Sequence, residues 1–278
     1  MPVDLLFVRH GQSEGNAARE QSKRGDESAY TPAFRHRLNR EWRLTDVGVF
    51  QAHAAGEWIR RHVHGPYTAC HTSEYVRARE TAGHLGLPGA SWVQEILLRE
   101  RSWGRADFVM PEGERYELFA DELTARRQDP CYWRPPEGES LADVYVRVKL
   151  VVDKVRECSP DGACVLVTHE DVMWAARCLL EGLSQEEWRA LLLSDDPCDR
   201  LHNGQVLHYS RRDPATDRCS ESFEWVRSVC PWDPVRSRNE WQRIQPRCFS
   251  NEELLATVES IERLVPGRPL EMSGQKVR

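Results

Sequence analysis

The stretch Val3-Asp4-Leu5-Leu6-Phe7-Val8-Arg9-His10-Gly11-Gln12-Ser13-Glu14-Gly15-Asn16 decides how this chain is read. Val3 to Val8 is a short apolar run whose length and Val/Leu/Phe content predict a buried parallel strand running into a loop. Arg9 and His10 then stand at the strand's carboxyl end. Open α/β sheets bind ligands at that edge, because loops converge there and the helices that follow direct their amino termini at it. Gly11 permits a tight turn and a close backbone approach.

Working outward, a second apolar run from Cys164 to Val167 ends in Thr168-His169, which predicts another buried strand. Around these two, strands and helices alternate. Residues 19 to 43 are polar, with Arg35, His36, Arg37, Arg40 and Arg43 close together, and are expected to form a long loop or irregular insertion, either a solvated surface or a substrate-facing rim. Thr45 is a plausible N-cap for an amphipathic helix with Val47, Phe50, Ala54, Trp58 and Ile59 on its apolar side. Tyr67 to His71 predicts a strand and Glu74 to Leu85 a helix closed by Gly86 and Pro88, with a third strand from Val93 to Leu97. Prolines and glycines surround a single expected helix, Glu114 to Arg127, in a stretch that leaves the sheet as a cap. Ser140 to Glu157 has a helical period, and Asp171 to Leu180 predicts a further helix. Ser184 with Glu187 has capping-box spacing. Val206 to Tyr209 and Phe223 to Val229 are candidate strands, 231 to 246 shows no periodicity, and Asn251 to Leu264 reads as a capped helix before a frayed tail from Pro266. No internal repeat is present. The alternation predicts an α/β fold: a three-layer αβα sandwich with a mostly parallel sheet, a cap inserted at about 103–139 and a C-terminal extension. The expected division is a catalytic domain over 1–230 and an extension over 231–278.

With 40% hydrophobic and 29% charged residues, the 278-residue chain has an ordinary globular composition that can bury a sizeable core. Its net charge of -6 argues against a nucleic-acid or anionic-membrane partner, so an anionic substrate must be held by local basic clusters. The first apolar run is too short, and carries an acid, to be a signal peptide, and no later run approaches membrane-spanning length. Cytoplasmic residence is the expectation. The nine cysteines lack a Cys-x-x-Cys pair or a zinc-like histidine spacing and read as reduced thiols. Nothing in the sequence has metal-ligand spacing.

Arg9-His10-Gly11-Gln12-Ser13-Glu14-Gly15-Asn16 after a strand closely resembles the signature of the histidine phosphatase superfamily, which includes the cofactor-dependent phosphoglycerate mutases. Further blocks follow in order. Leu44-Thr45-Asp46-Val47-Gly48 with Gln51-Ala52 resembles the block before the family's first helix. Ser73 with Arg77-Ala78 and Thr81-Ala82 is similar to the block carrying a second arginine. Leu98-Arg99-Glu100-Arg101 with Trp103-Gly104 looks like the block carrying the acidic residue, and Val167-Thr168-His169 resembles the one carrying a second histidine. The blocks span about the first 210 residues.

Phosphoryl transfer is catalysed mainly by positioning and by spreading charge over non-bridging oxygens. Arginine's planar fork suits that task, which makes Arg9 and Arg77 the candidate phosphate clamps. Flanking guanidinium groups disfavour protonated imidazole, so the same cations keep His10 nucleophilic. The resemblance implies that His10 becomes phosphorylated, that His169 contacts the phosphoryl oxygens, where it could be protonated, and that Asn16 hydrogen-bonds phosphate. One carboxyl group can protonate the leaving alkoxide and later activate water. Glu100 stands at the family position for it, while Glu14, Glu170 and Asp171 compete on proximity. Many members have glycine after the second histidine, and here Glu170 stands there. A second superfamily branch has its proton donor directly after that histidine. Gly138-Glu139-Ser140 is either a further family-like block or simply a turn and N-cap. The implied mechanism needs no metal and no cofactor.

Three functions fit: hydrolysis of a small phosphorylated substrate through phosphohistidine, which is preferred; a phosphoglycerate-type mutase with the same chemistry; and a non-catalytic binding or regulatory protein on the same fold. The region after Asn16 departs from the expected mutase pattern, and the five core residues argue against an idle protein. An RNA partner for the Arg35 to Arg43 cluster or the Trp232 to Trp241 region is disfavoured by the acidic balance. Oligomeric state and substrate are not legible.

Overall fold

β1 (Asp4–Arg9) is the central strand of a seven-stranded sheet. The computed structural model describes residues 1–107, 110–158, 161–245 and 247–265. After β1 come α1 (Glu14–Lys23), α2 (Pro32–His36), α3 (Asp46–His62), β2 (Tyr67–Thr72), α4 (Val76–His84) and β3 (Trp92–Gln94). Next are α5 (Glu112–Leu118), α6 (Ala120–Gln128), α7 (Leu141–Cys158), β4 (Ala163–Thr168), α8 (Glu170–Glu181) and α9 (Gln185–Leu193). The strands β5 (Val206–Ser210), β6 (Trp225–Val229) and β7 (Arg238–Arg243) complete the sheet. Its order is β3-β2-β4-β1-β5-β6-β7. The first four strands are parallel, and β5 to β7 add an antiparallel meander, so the sheet is mixed with a parallel core.

Alternation along the buried strands feeds two cores. Leu5 and Phe7 of β1 join Cys164 and Leu166 of β4 under α7 and α8. Leu6 and Val8 join Val165 and Val167 under α3 and α4 on the opposite face. This is the three-layer αβα arrangement, and each fully buried Leu, Ile or Phe contributes roughly 1.5–3 kcal/mol of transfer free energy. On α7 the predicted apolar positions Leu141, Val144, Val148, Val151, Val152 and Val155 are buried, Tyr145 of the same stripe is half-buried, and Arg147 is buried beside them.

Several elements differ from the sequence expectation. The polar stretch expected as a loop begins inside a helix: Ser13 caps α1 by accepting from Asn16 N, and Asn16 Oδ1 accepts from Ser13 N, a reciprocal capping box. Thr31-Pro32 starts the short α2 in the same way, with a side-chain cap and proline in the first turn. On α3 the buried face is rotated from the predicted one. Val47 and Phe50 are exposed, while Gly48, Gln51, Ala52, Ala55 and Gly56 are buried with Trp58 and Ile59. The glycines explain this, since a Cβ on Gly48 would lie 2.1 Å from Gln12 O and one on Gly56 1.9 Å from Leu85 O. β3 is shorter than predicted and gives way to a 3-10 turn at Ile96–Leu98. The single cap helix is two, broken at Phe119, whose φ of -126° leaves the helical region.

The boundary expected at 230/231 falls inside the sheet, because β7 pairs antiparallel with β6. Its Trp241 ring lies 4.3 Å from the Arg227 guanidinium carbon. The chain divides into compact units of Met1–Gln245 and Pro246–Arg278. In the second unit, α10 (Asn251–Ala256) is capped by Ser250 and is shorter than the helix predicted to Leu264. The tail expected from Pro266 lies outside the described residues. Among the described residues no helix is long and apolar enough to cross a membrane.

Candidate active site at the carboxyl ends of β1 and β4

β1 delivers Arg9 and His10, and the adjacent parallel β4 delivers His169, to one edge of the sheet. The His10 and His169 ring centroids are 5.0 Å apart. Gly11 turns the chain beneath them: a Cβ there would lie 2.2 Å from Gly48 O, a close approach only glycine allows. The close backbone approach predicted at Gly11 is therefore to α3.

His10 is buried, and its Nδ1 is 2.7 Å from Gly11 O. A carbonyl only accepts, so Nδ1 carries the ring proton and Nε2 presents its lone pair. Arg77, from α4, donates from Nε to that Nε2 at 3.1 Å. Arg77 Nη1 also donates to Asn39 O and Oδ1. Burial, then the charges of Arg77 and Arg9, holds His10 well below the usual histidine range. The neutral, nucleophilic form is thus the one favoured at ordinary pH.

His169 Nε2 is 2.8 Å from Ser73 Oγ, and Nδ1 has no hydrogen-bond partner among the described residues. If the Ser73 hydroxyl donates to Nε2, Nδ1 carries the proton and can donate to a phosphoryl oxygen. The protonated state considered from sequence is disfavoured, because burial, Arg77 and His10 push this imidazole well below its usual range.

Glu100 faces this pair, its Oε2 3.7 Å from His169 Nδ1. Burial, reinforced by the negative charge of Asp171, pushes its carboxyl up to about 7. Its loop is clamped from behind. Arg147 of α7, only 5% exposed, donates to Leu97 O at 2.6 Å and Arg99 O at 2.8 Å, and pairs with Glu139 at 3.0 Å. Glu139 in turn accepts from Arg99 Nη2 and Ser102 N. Thr168 Oγ1 donates to Leu98 O, tying the loop to β4. Glu139 therefore positions the Glu100 loop, while Ser140 makes the predicted cap, accepting from Asp143 N.

Arg9 lies at the rim, with Nη2 2.8 Å from Glu170 Oε2. Asn16 lines the same cavity. Its Oδ1 is engaged by Ser13 and by Asn203 Nδ2, which also donates to His10 O, so the amide nitrogen is the end left for a ligand. The cavity, about 130 Å³, is walled by Arg9, His10, Asn16, Arg77 and Glu100, with Trp42 and Trp103 as apolar surfaces. An outer lobe of about 410 Å³ shares Arg9, Asn16 and Glu100 and reaches α5 and α6 of the cap. Glu14 pairs instead with Arg37 on the surface. Asp171 and Glu170 line the outer lobe.

Sequence reasoning did not single out Asn39 or Asn203, nor the role of Glu139 or the partnership of Ser73 with His169. The only available signal was Glu139's place in a family-like block. Ligand atoms of His10, Glu100 and His169 lie within 4.8 Å of one another, the donor set among the described residues that could hold a metal ion. They are also the atoms that phosphoryl chemistry would use, and Arg77 already occupies His10 Nε2.

Residues 5–202 match the family model of the histidine phosphatase superfamily, branch 1. A 2,3-bisphosphoglycerate-dependent phosphoglycerate mutase of Methylobacterium radiotolerans is 32% identical over 196 residues, covering 66% of this chain and 81% of that protein. A phosphoglycerate mutase-like protein of Arabidopsis thaliana is 29% identical over 166 residues, 56% of this chain. The match spans 47% of that protein, about half its length. Among solved structures, mycobacterial hydrolase 1 superposes with a TM-score of 0.59 at 23% identity, covering 79% of this chain and 98% of its own. Mycobacterial glucosyl-3-phosphoglycerate phosphatase in complex with inorganic phosphate gives 0.55 at 25% identity, with coverage of 74% and 89%.

Proposed function

Because this chain belongs to branch 1 of the histidine phosphatase superfamily, we propose that it is a metal-independent phosphomonoester hydrolase that passes a phosphoryl group through His10 to water. The observation that carries this reading is the state of His10. Its Nδ1 proton is committed to Gly11 O, its Nε2 lone pair faces Arg77, and a carboxyl group titrating near neutrality stands opposite.

Substrate takes over the Arg77 edge that now donates to Nε2, and Arg9 and His169 Nδ1 share the remaining phosphoryl oxygens. His10 Nε2 attacks phosphorus, and the phosphorus–oxygen ester bond breaks as protonated Glu100 gives its proton to the leaving alkoxide. Ionised Glu100 then takes a proton from a water that attacks the phosphohistidine, releasing phosphate and restoring both groups. A carboxyl poised near 7 can serve in both directions at neutral pH.

The 2,3-bisphosphoglycerate-dependent relative gives the mutase reading its support. Hydrolysis is preferred because the polar outer lobe shares Arg9, Asn16 and Glu100 with the inner cavity, which gives a water a place beside Glu100. A mutase must instead keep water from its intermediate. The similarity to a phosphatase at 25% identity points the same way.

A panel of small phosphomonoesters assayed with chelator present tests the reading. Phosphate release should be insensitive to chelator and should fall by at least about a thousandfold in His10→Ala, the factor for ~4 kcal/mol of barrier. Strict dependence on a bisphosphorylated donor, with negligible transfer to water, would select the mutase. Binding without turnover of any phosphomonoester would select a regulatory protein.

A further inference from the structure

Each nitrogen of Arg9 is in a different situation. Nη1 donates to Leu201 O, Nη2 lies 2.8 Å from Glu170 Oε2, and Nε is buried with no hydrogen-bond partner among the described residues. Nε and Nη2 together form one of the guanidinium's two-pronged edges, the geometry that matches a phosphoryl group. Nε has no partner from the described residues, and a carboxylate of the chain itself lies against Nη2. Glu170 is the first residue of α8, where the helix's positive end favours a carboxylate. Its side chain is 42% exposed, against 12% for Arg9, and lines the outer lobe into which it can withdraw.

We propose that Glu170 is a built-in competitor for the phosphoryl group. Glu170 orients the Arg9 fork, and a phosphoryl group that takes the Nε–Nη2 edge competes with it for Nη2. Glu170 therefore weakens the hold on substrate and on released phosphate alike, and it speeds product departure without carrying a proton. Glu170 acts through Arg9 and is a positioning residue. The inference rests on Arg9 being a phosphate ligand, as in the proposed function, but not on turnover.

Inorganic phosphate binding to the full chain, followed by calorimetry, gives a readout independent of catalysis. Glu170→Gln keeps the side-chain size and removes the charge, and it should tighten phosphate about fivefold, the factor corresponding to losing a partly exposed ion pair of ~1 kcal/mol. Glu170→Ala should do the same, and Glu170→Asp should stay near wild type. In steady-state assays KM should fall with the phosphate Kd, and kcat should change less than either. Unaltered or weaker phosphate binding in both neutral variants overturns the proposal. So does a fall in kcat of a hundredfold or more at unchanged phosphate affinity, which would make Glu170 the proton donor. Tighter phosphate in a protein that turns over no phosphomonoester would uphold the competitor and sink the hydrolase reading instead.

Discussion

Glu100 links stability and chemistry at the scale of one carboxyl group. Burial and Asp171 raise its folded pKa from 4.5 to about 7. A raised folded value means that the contribution is fully present below pH 4.5 and is lost as pH rises through about 7. That shift corresponds to at most ~3 kcal/mol. Glu100→Gln should therefore raise the thermal midpoint relative to wild type at pH 8 and change it little at pH 4.5; an equal change at both would contradict the assignment. Single-turnover phosphorylation needs the acid form, so its rate should fall as pH rises through about 7. It should hold on the acidic side to well below the usual histidine range, because burial, Arg77 and Arg9 keep His10 neutral. Stopped-flow measurements across pH check both limbs. Arg9, His10 and His169 were legible because they stand at strand ends, Arg77 because it stands in the first turn of a helix, and Glu100 only through the resemblance of its block, since it follows a 3-10 turn. The bonds of Asn39 to Arg77 and of Asn203 to His10 were not, because they join residues far apart in sequence that carry no local pattern.

Elements hold these residues in place through two devices. The first is the buried Arg147–Glu139 pair behind the Glu100 loop. Arg147→Leu leaves Glu139 with Arg99 as its remaining partner cation and two carbonyls without donors. It should destabilise the fold by about 3 kcal/mol in urea titrations. It should also lower kcat, because the loop that aims Glu100 loosens; unchanged stability and kcat would contradict the clamp. The second device is the pair of glycines that seats α3 against the active-site loop and α4. Gly56→Ala pushes a methyl into Leu85 O and should cost about 1–3 kcal/mol, measured the same way. These glycines also explain why the α3 face was misread. A residue buried because it lacks a side chain gives no hydrophobic signal, whereas Val47 and Phe50 on the exposed side do. α1 was missed for a related reason. Its sequence is polar, and it rests on the Ser13–Asn16 capping box more than on an apolar stripe.

Across the whole molecule, alternation of apolar runs with amphipathic helices made the αβα layering readable, and the antiparallel meander was less so. β7 (Arg-Asn-Glu-Trp-Gln-Arg) is mostly exposed and finds its place through backbone pairing with β6 and the stacking of Trp241 on Arg227. A net charge of -6 coexists with a cavity walled by Arg9 and Arg77, so attraction of an anion is a local property of the site. Every residue given a role in phosphoryl transfer lies within Met1–Gln245. Deleting residues 246–278 should accordingly leave kcat within about twofold, while a larger loss would give that unit a catalytic part. The central claim, that neutral His10 accepts the phosphoryl group on Nε2, is tested most directly by rapid-quench labelling with a 32P-phosphomonoester during turnover. The account predicts an acid-labile, base-stable label that maps to His10 and forms and decays at rates compatible with kcat. Undiminished phosphate release with no label on His10 would contradict it.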